Sequence, residues 1–145
     1  MPIAAAALIG RVAQGENPLV VWGDGTAIRD FIYSKDVAEG MILAMEKGAN
    51  CKPVNLGSGK GVSIKELVDN IVSCFDDPPQ VQWDTNKPSG QRIRLMDMTR
   101  AKEMLGFTPS TPLEEGIKET VDWYLTNRQA SANRYNVFRQ QNYLG

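Results

Sequence analysis

The stretch from Ser63 to Phe75 limits what this chain can become more than any other. Ser63-Ile64-Lys65-Glu66 has the form of a helix-capping box, and Ile64, Leu67, Val68, Ile71, Val72 and Phe75 then recur at three- and four-residue spacing. This spacing predicts a helix with one apolar stripe, closed by Asp76-Asp77-Pro78-Pro79. Such a stripe has to be buried, so the chain needs other elements to pack against it.

Several segments supply them. Residues from about Ile3 to Gln14 read as a helix because Ala and Leu dominate, with Gly15 and Asn17-Pro18 as the stop. Leu19-Val20-Val21-Trp22 reads as a short strand. Beyond the Gly23-Asp24-Gly25 turn signal, Arg29-Asp30-Phe31-Ile32-Tyr33 reads as a second strand, as if the two were paired. Ser34 is placed to cap a helix whose apolar set includes Val37, Met41, Ile42 and Met45, ended by Gly48. Short extended pieces are expected at Pro53–Leu56 and Val81–Trp83. Asp97 or Thr99 would cap a short helix carrying Ala101, Met104 and Leu105, closed by Gly106. Thr111-Pro112-Leu113-Glu114 combines an N-cap, a proline at the first helical position and a capping-box glutamate, followed by Ile117, Val121 and Tyr124 as the buried face. The expected fold class is α/β, helix-rich with short strands. The polar segment 127–145 reads as a mobile tail, although Tyr135, Val137, Phe138 and Tyr143 could dock.

With 145 residues the chain is long enough for one ordinary domain. Its formal charge of −1 excludes bulk electrostatic attraction to nucleic acid or to an anionic membrane, so any anion site must be local. The two cysteines, Cys51 and Cys74, have no CxxC spacing and there is no histidine, so no structural metal is expected. Lack of histidine also rules out a Ser-His-Asp or Cys-His unit built from this chain alone. The apolar run near Met1 has no basic residue before it and is stopped by Gly10 and Arg11, and it reads as a helix of a cytoplasmic protein.

Three features bear on binding. The glycine-rich Gly57-Ser58-Gly59-Lys60-Gly61 fits neither a Walker loop nor a dinucleotide fingerprint, since Val62 stands where the third glycine would be; it reads as a tight strand-to-helix connection. Lys87-Pro88-Ser89-Gly90 sets a cation in a turn-forming loop, and Arg11 lies on the first helix; both are ordinary as solvated surface. Arg29 stands beside an apolar strand, where a guanidinium either pairs with a carboxylate such as Asp30 or Asp36, or faces a cleft and binds an anion through its fixed fork of donors.

Four blocks in order, "VVWGDGTAIRDFIYSKDVAEGM", "VNLGSGKGVSIKELV", "KPSGQRIRLMDMTRAKEMLGF" and "TPLEEGIKETVDWY", resemble the C-terminal half of the nucleotide-sugar epimerases, dehydratases and reductases of the extended short-chain dehydrogenase/reductase family. Trp22 before Gly-Asp-Gly and the "KPSG" loop are most similar to the branch that epimerises and reduces a GDP-linked keto-deoxyhexose. The resemblance implies that residues 1–126 form a nucleotide-sugar-binding domain of a longer enzyme, that Arg29 contacts the diphosphate, and that Lys87 reaches the nucleotide. It also implies that Trp22 flanks the base or ribose and that Arg11 lies on the nucleotide side, although Ala6 stands where the branch pattern has proline.

Family members also carry an N-terminal Rossmann domain with a glycine-rich NAD(P) loop and a Tyr-x-x-x-Lys constellation. None of Tyr33, Tyr124, Tyr135 and Tyr143 has a lysine four residues on, and no cofactor loop is present. The expectation is therefore a chain with no catalytic or cofactor-binding residues of its own, which binds a sugar nucleotide, preferably GDP-linked, but does not turn it over. A standalone nucleotide-sugar-binding module, and an interaction subunit that pairs with a separate Rossmann chain or with itself through exposed apolar surface, are the alternatives.

Overall fold

Three helices bury one another's apolar stripes and set the frame. The structure is a computed structural model that describes residues 5–48 and 51–128. In it α1 (Ala5–Ala13) packs on α3 (Ile64–Val72), and α4 (Leu113–Thr126) packs on both; α2 is Ser34–Lys47. The stripe read from the sequence is the centre of this core, with Leu67, Val68 and Ile71 fully buried beside Ile9, Leu19 and Val121. Burying each such side chain contributes about 1.5–3 kcal/mol. Ser63 caps α3 as its sequence predicts, its Oγ accepting a hydrogen bond from Glu66 N at 3.0 Å.

The strands are short and belong to two small sheets. Strand β1 (Leu19–Trp22) pairs in parallel with β4 (Val81–Asp84), Trp22 opposite Asp84. Strand β2 (Ile28–Arg29) lies between β3 (Val62–Ser63), antiparallel to it, and β5 (Ile93–Arg94), parallel to it. The chain is thus a mixed α/β fold with short strands. The two runs around Gly23-Asp24-Gly25 do not form a hairpin: the turn carries the chain from one sheet to the other, and the extended region after it is two residues long. A local turn signal says that the chain bends, while strand partners come from distant segments.

A second core lies under a π-helical turn, Ala101–Leu105. Ala101, Leu105 and Phe107 are buried against Ile32, Leu43, Ala44 and Leu56. Here α2 departs from its predicted face, because Met41, Ile42 and Met45 are exposed while Asp36 and Gly40 are buried and Leu43 and Ala44 pack inward. The cause is polar. The Asp36 carboxylate accepts hydrogen bonds from Ser110 N (3.2 Å), Ser110 Oγ (3.0 Å) and Thr111 N (3.1 Å), which turns that side of α2 toward the corner before α4. At the other end Lys47 Nζ donates to Leu105 O at 2.6 Å.

This arrangement replaces two predicted caps. Tyr33 rather than Ser34 occupies the N-cap of α2, and Pro112 rather than Thr111 that of α4; neither makes a side-chain cap bond. Ser110 and Thr111 instead present their backbone donors to Asp36. A third clamp is at the surface, where Glu119 on α4 accepts from Tyr33 Oη (2.7 Å) and Lys35 Nζ (2.6 Å). No helix among the described residues is long and apolar enough to cross a membrane. The predicted tail contacts at Tyr135, Val137, Phe138 and Tyr143 lie outside the described residues.

Burial works against ionised Asp36, but the bonds from Ser110 and Thr111 outweigh it and hold its carboxyl below the ordinary aspartate range. Its folded value lies below the unfolded one, so the stabilisation is complete above the unfolded value of about 3.9 and is lost as pH falls through the folded value. Asp36→Ala is expected to lower unfolding stability by about 1–3 kcal/mol at pH 7, because it removes the acceptor of three part-buried hydrogen bonds. Asp36→Asn should show a shallower loss of stability than the parent protein between neutral pH and pH about 3, measured by urea unfolding.

Candidate functional site

Parallel pairing of β1 with β4 brings the chain out of both strands at the same edge. Gly23 N donates to Asp84 O at 2.9 Å, and Lys87 N donates to the same carbonyl at 3.2 Å. The Gly23-Asp24-Gly25 turn and the Lys87–Gly90 loop therefore start side by side. Contact between them is tight: a Cβ on Gly23 would lie 2.5 Å from Ser89 Oγ, and Gly23 has φ +86°. Asp24 stiffens the turn by accepting from Thr26 N (3.0 Å) and Thr26 Oγ1 (2.8 Å). These bonds, Thr26 N first, hold the exposed Asp24 carboxyl below its ordinary range.

Strand β2 enters the same region from the second sheet. A cleft of about 540 Å³ opens between them, lined by Trp22, Arg29, Asp30, Phe31, Ile64, Pro88, Ser89, Gly90, Arg94 and Met96. Crevices beyond the carboxyl ends of parallel strands are the usual ligand sites of α/β sheets. Within this cleft Arg29 Nη1 donates to Ile28 O at 2.7 Å and Nη2 reaches Ser89 O at 3.5 Å, so part of its fork remains available. Gly90, at φ +75°, lets the loop lie on the guanidinium, since a Cβ there would be 3.3 Å from Arg29 Nη2.

Neither carboxylate considered as an ion-pair partner takes that guanidinium. Asp36 is committed to Ser110 and Thr111. Asp30 Oδ1 accepts from Ser58 N (2.7 Å) and Ser58 Oγ (2.6 Å), and its Oδ2 from Gly59 N (3.0 Å) and Met96 N (3.3 Å). Among the described residues the salt bridges are Arg11–Glu16 and Lys35–Glu119.

Lys87 and Trp22 meet at the rim, with Lys87 Nζ 5.6 Å from the indole centroid, within cation–π range. Arg11 stands apart from the cleft. Its guanidinium is held by Glu16 and donates to Val20 O at 2.6 Å, tying α1 to β1 two residues before Trp22. This pairing pulls Glu16 below its ordinary range and raises Arg11 further. Arg94 was not marked by sequence reasoning. Its register opposite Arg29 depends on a pairing of two-residue strands that carries no local pattern.

The backbone donors of the glycine-rich loop are engaged within the fold. A phosphate cradle needs free backbone N–H groups, whereas Gly57 N points to Met98 Sδ, Ser58 N and Gly59 N to Asp30, and Lys60 N to Ser58 Oγ. These bonds tie the loop to Asp30 and Met98 within the fold.

Residues 3–57 match the model of the NAD dependent epimerase/dehydratase family. The chain is 38% identical over 115 residues to "Probable GDP-L-fucose synthase 1" of Oryza sativa subsp. japonica, an alignment covering 79% of this chain and 35% of that protein. Both likenesses are to the NAD-dependent epimerases and dehydratases. Two solved structures extend the likeness to the fold. The UDP-glucose 4-epimerase of Thermotoga maritima, solved with UDP-glucose, is 34% identical with a TM-score of 0.72, covering 86% of this chain and 40% of that one. The GDP-L-fucose synthetase of Naegleria fowleri, solved with NADP, is 27% identical with a TM-score of 0.78 and the same coverage. The chain spans about a third of the length of the curated relatives it matches.

Gly23→Ala tests the closeness of the turn and the loop. The positive φ and the collision with Ser89 are expected to cost at least about 1 kcal/mol in unfolding free energy. Gly15→Ala, at φ +82° with nothing within 4 Å of the added methyl, separates backbone strain from collision. Gly23→Ala should be the more destabilising of the two by chemical denaturation.

Proposed function

We propose that this chain is the nucleotide-sugar-binding part of an NAD(P)-dependent NDP-sugar epimerase/reductase, most like the GDP-L-fucose synthases, and that the cleft between the two sheets holds the nucleotide. The observation that carries the reading is Arg29. It lines a cleft at the carboxyl ends of parallel strands, and no carboxylate among the described residues forms a salt bridge with it. A guanidinium fork matches the oxygens of a diphosphate, and charge-assisted bonds of this kind contribute about 1.5–3 kcal/mol each.

In this reading Trp22 flanks the base or ribose at the cleft rim, and Lys87 acts with it as one unit, its ammonium over the indole and its donors toward the nucleotide. Arg11 serves from outside the cleft by holding β1 in place below Trp22. The relatives named GDP-L-fucose synthase favour a GDP-sugar.

The chemistry is assigned elsewhere. The chain has no histidine and no Tyr-x-x-x-Lys, and the donors of its glycine-rich loop are already committed. Acid/base groups and NAD(P) would come from a Rossmann domain, while binding energy from the nucleotide positions the hexose for groups outside this chain. By itself the chain is a binding module.

Calorimetric titration of the 145-residue chain with GDP, UDP and dTDP should show saturable binding, tightest for GDP. Arg29→Ala should weaken it about 10- to 100-fold. Absence of binding by all three at millimolar concentration would refute the reading. In a separate assay, the chain with NADPH and a GDP-linked keto-deoxyhexose should give no turnover above background. Measurable NADPH consumption would overturn its assignment as a binding part alone.

A further inference from the structure

One face of α2 is apolar and uncovered. Met41, Ile42 and Met45 are largely exposed, Met45 the most at 84%, and Ala38 is exposed one turn before them. Positions 38, 41, 42 and 45 recur at the three- and four-residue spacing of neighbours on one helix face. The inner side of the helix is engaged: Asp36 holds Ser110 and Thr111, and Leu43 and Ala44 pack on the core of Ala101, Leu105 and Phe107. Rolling α2 to bury the methionines would break these contacts. A contiguous exposed apolar patch of about 300 Å² or more commonly marks an interaction site, and methionine suits one because its unbranched side chain adapts to the surface it meets.

The charges beside this face complement their own image. Lys35, Glu39 and Glu46 are exposed and, at helical spacing, fall along one edge of the stripe beside Ile42, while the other edge, at Val37 and Gly48, carries no charge. The cation lies near the start of the helix and Glu46 near its end. A parallel pair of such helices sets Lys35 against Lys35 and Glu46 against Glu46. An antiparallel pair centred on Met41 lays residues 38–45 of one copy alongside 37–44 of the other, and brings Glu46 level with position 36, next to Lys35. Lys35 already donates to Glu119 at 2.6 Å, but an ammonium can donate more than once and this side chain is 71% exposed.

We propose that this face of α2 binds the α2 of a second copy of the chain in antiparallel orientation, giving a two-fold symmetric dimer. In such an isologous interface each contact occurs twice, so the apolar stripes cover each other and two Lys35–Glu46 pairs fix the direction. Two faces of this size bury together about 800 Å², which places the dimer among weak, concentration-dependent associations. The proposal stands apart from the nucleotide reading, since the face shares no residue with the cleft.

The test is sedimentation equilibrium of the intact chain at low salt, from about 10 µM to 1 mM, the range of a weak interface. Mass should rise with concentration from one copy toward two. Met45→Glu, at the most exposed of the three positions, should raise the dissociation constant at least about 10-fold while its circular dichroism stays that of the parent. Lys35→Glu and Glu46→Lys should each weaken association about 3- to 10-fold, because two pairs turn repulsive per dimer, and the double variant should recover it. That recovery separates a directed antiparallel pair from nonspecific adhesion. The proposal fails if the parent is still a monomer at the highest concentration, if it assembles without defined stoichiometry, if the dimer persists in folded Met45→Glu, or if the double variant recovers nothing. The nucleotide reading survives each of these outcomes, because it is read by titration of the cleft.

Discussion

The Asp30 carboxylate is the junction on which the rest of the cleft depends. It lies just after β2, and its four accepted bonds join three segments far apart in sequence: β2 itself, the glycine-rich loop at Ser58–Gly59, and the exit of β5 at Met96. Two-residue strands have little cohesion of their own, because short ladders offer few bonds against the entropy of ordering the chain. A carboxylate that accepts several backbone donors supplies what the ladder lacks. It also explains why the cleft is cationic: the acid that could have neutralised Arg29 or Arg94 is engaged in holding the frame.

Asp36 does related work on the other side of the molecule. Its bonds to Ser110 and Thr111 decide which side of α2 faces inward and where α4 begins. Met41, Ile42 and Met45 are left on the surface as a result, with exposures of 58, 56 and 84%. Two buried or half-buried aspartates thus organise segments whose regular structure is too short to organise itself, and the three-helix core of α1, α3 and α4 supplies the apolar burial.

Likeness to the epimerase/dehydratase family fits this division of labour. Matched regions of the relatives amount to about a third of their length, and the cleft here is lined by two arginines, an indole and small turn residues, with Asp30 spent on Ser58, Gly59 and Met96. In the proposed reading, specificity for a sugar nucleotide and the chemistry on its hexose are separate physical tasks, one resting on charge and shape, the other on groups of tuned acidity.

Much of the frame was legible in the chain itself. The α3 stripe with its Ser63 cap, the strand at Leu19–Trp22, the turn at Gly23–Gly25 and the burial of Ala101 and Leu105 all follow from periodicity and local backbone chemistry, which depend on residues a few positions apart. Arg29 was legible as a cation in search of a role. Its release from Asp30, its partnership with Arg94, the inward face of α2 and the replacement of the hairpin by two separate sheets were not, because each rests on contacts between residues 28 to 75 positions apart. Local pattern names the elements. Which carboxylate is occupied, and which guanidinium is left to face the cleft, is settled only when distant segments compete for the same hydrogen bonds.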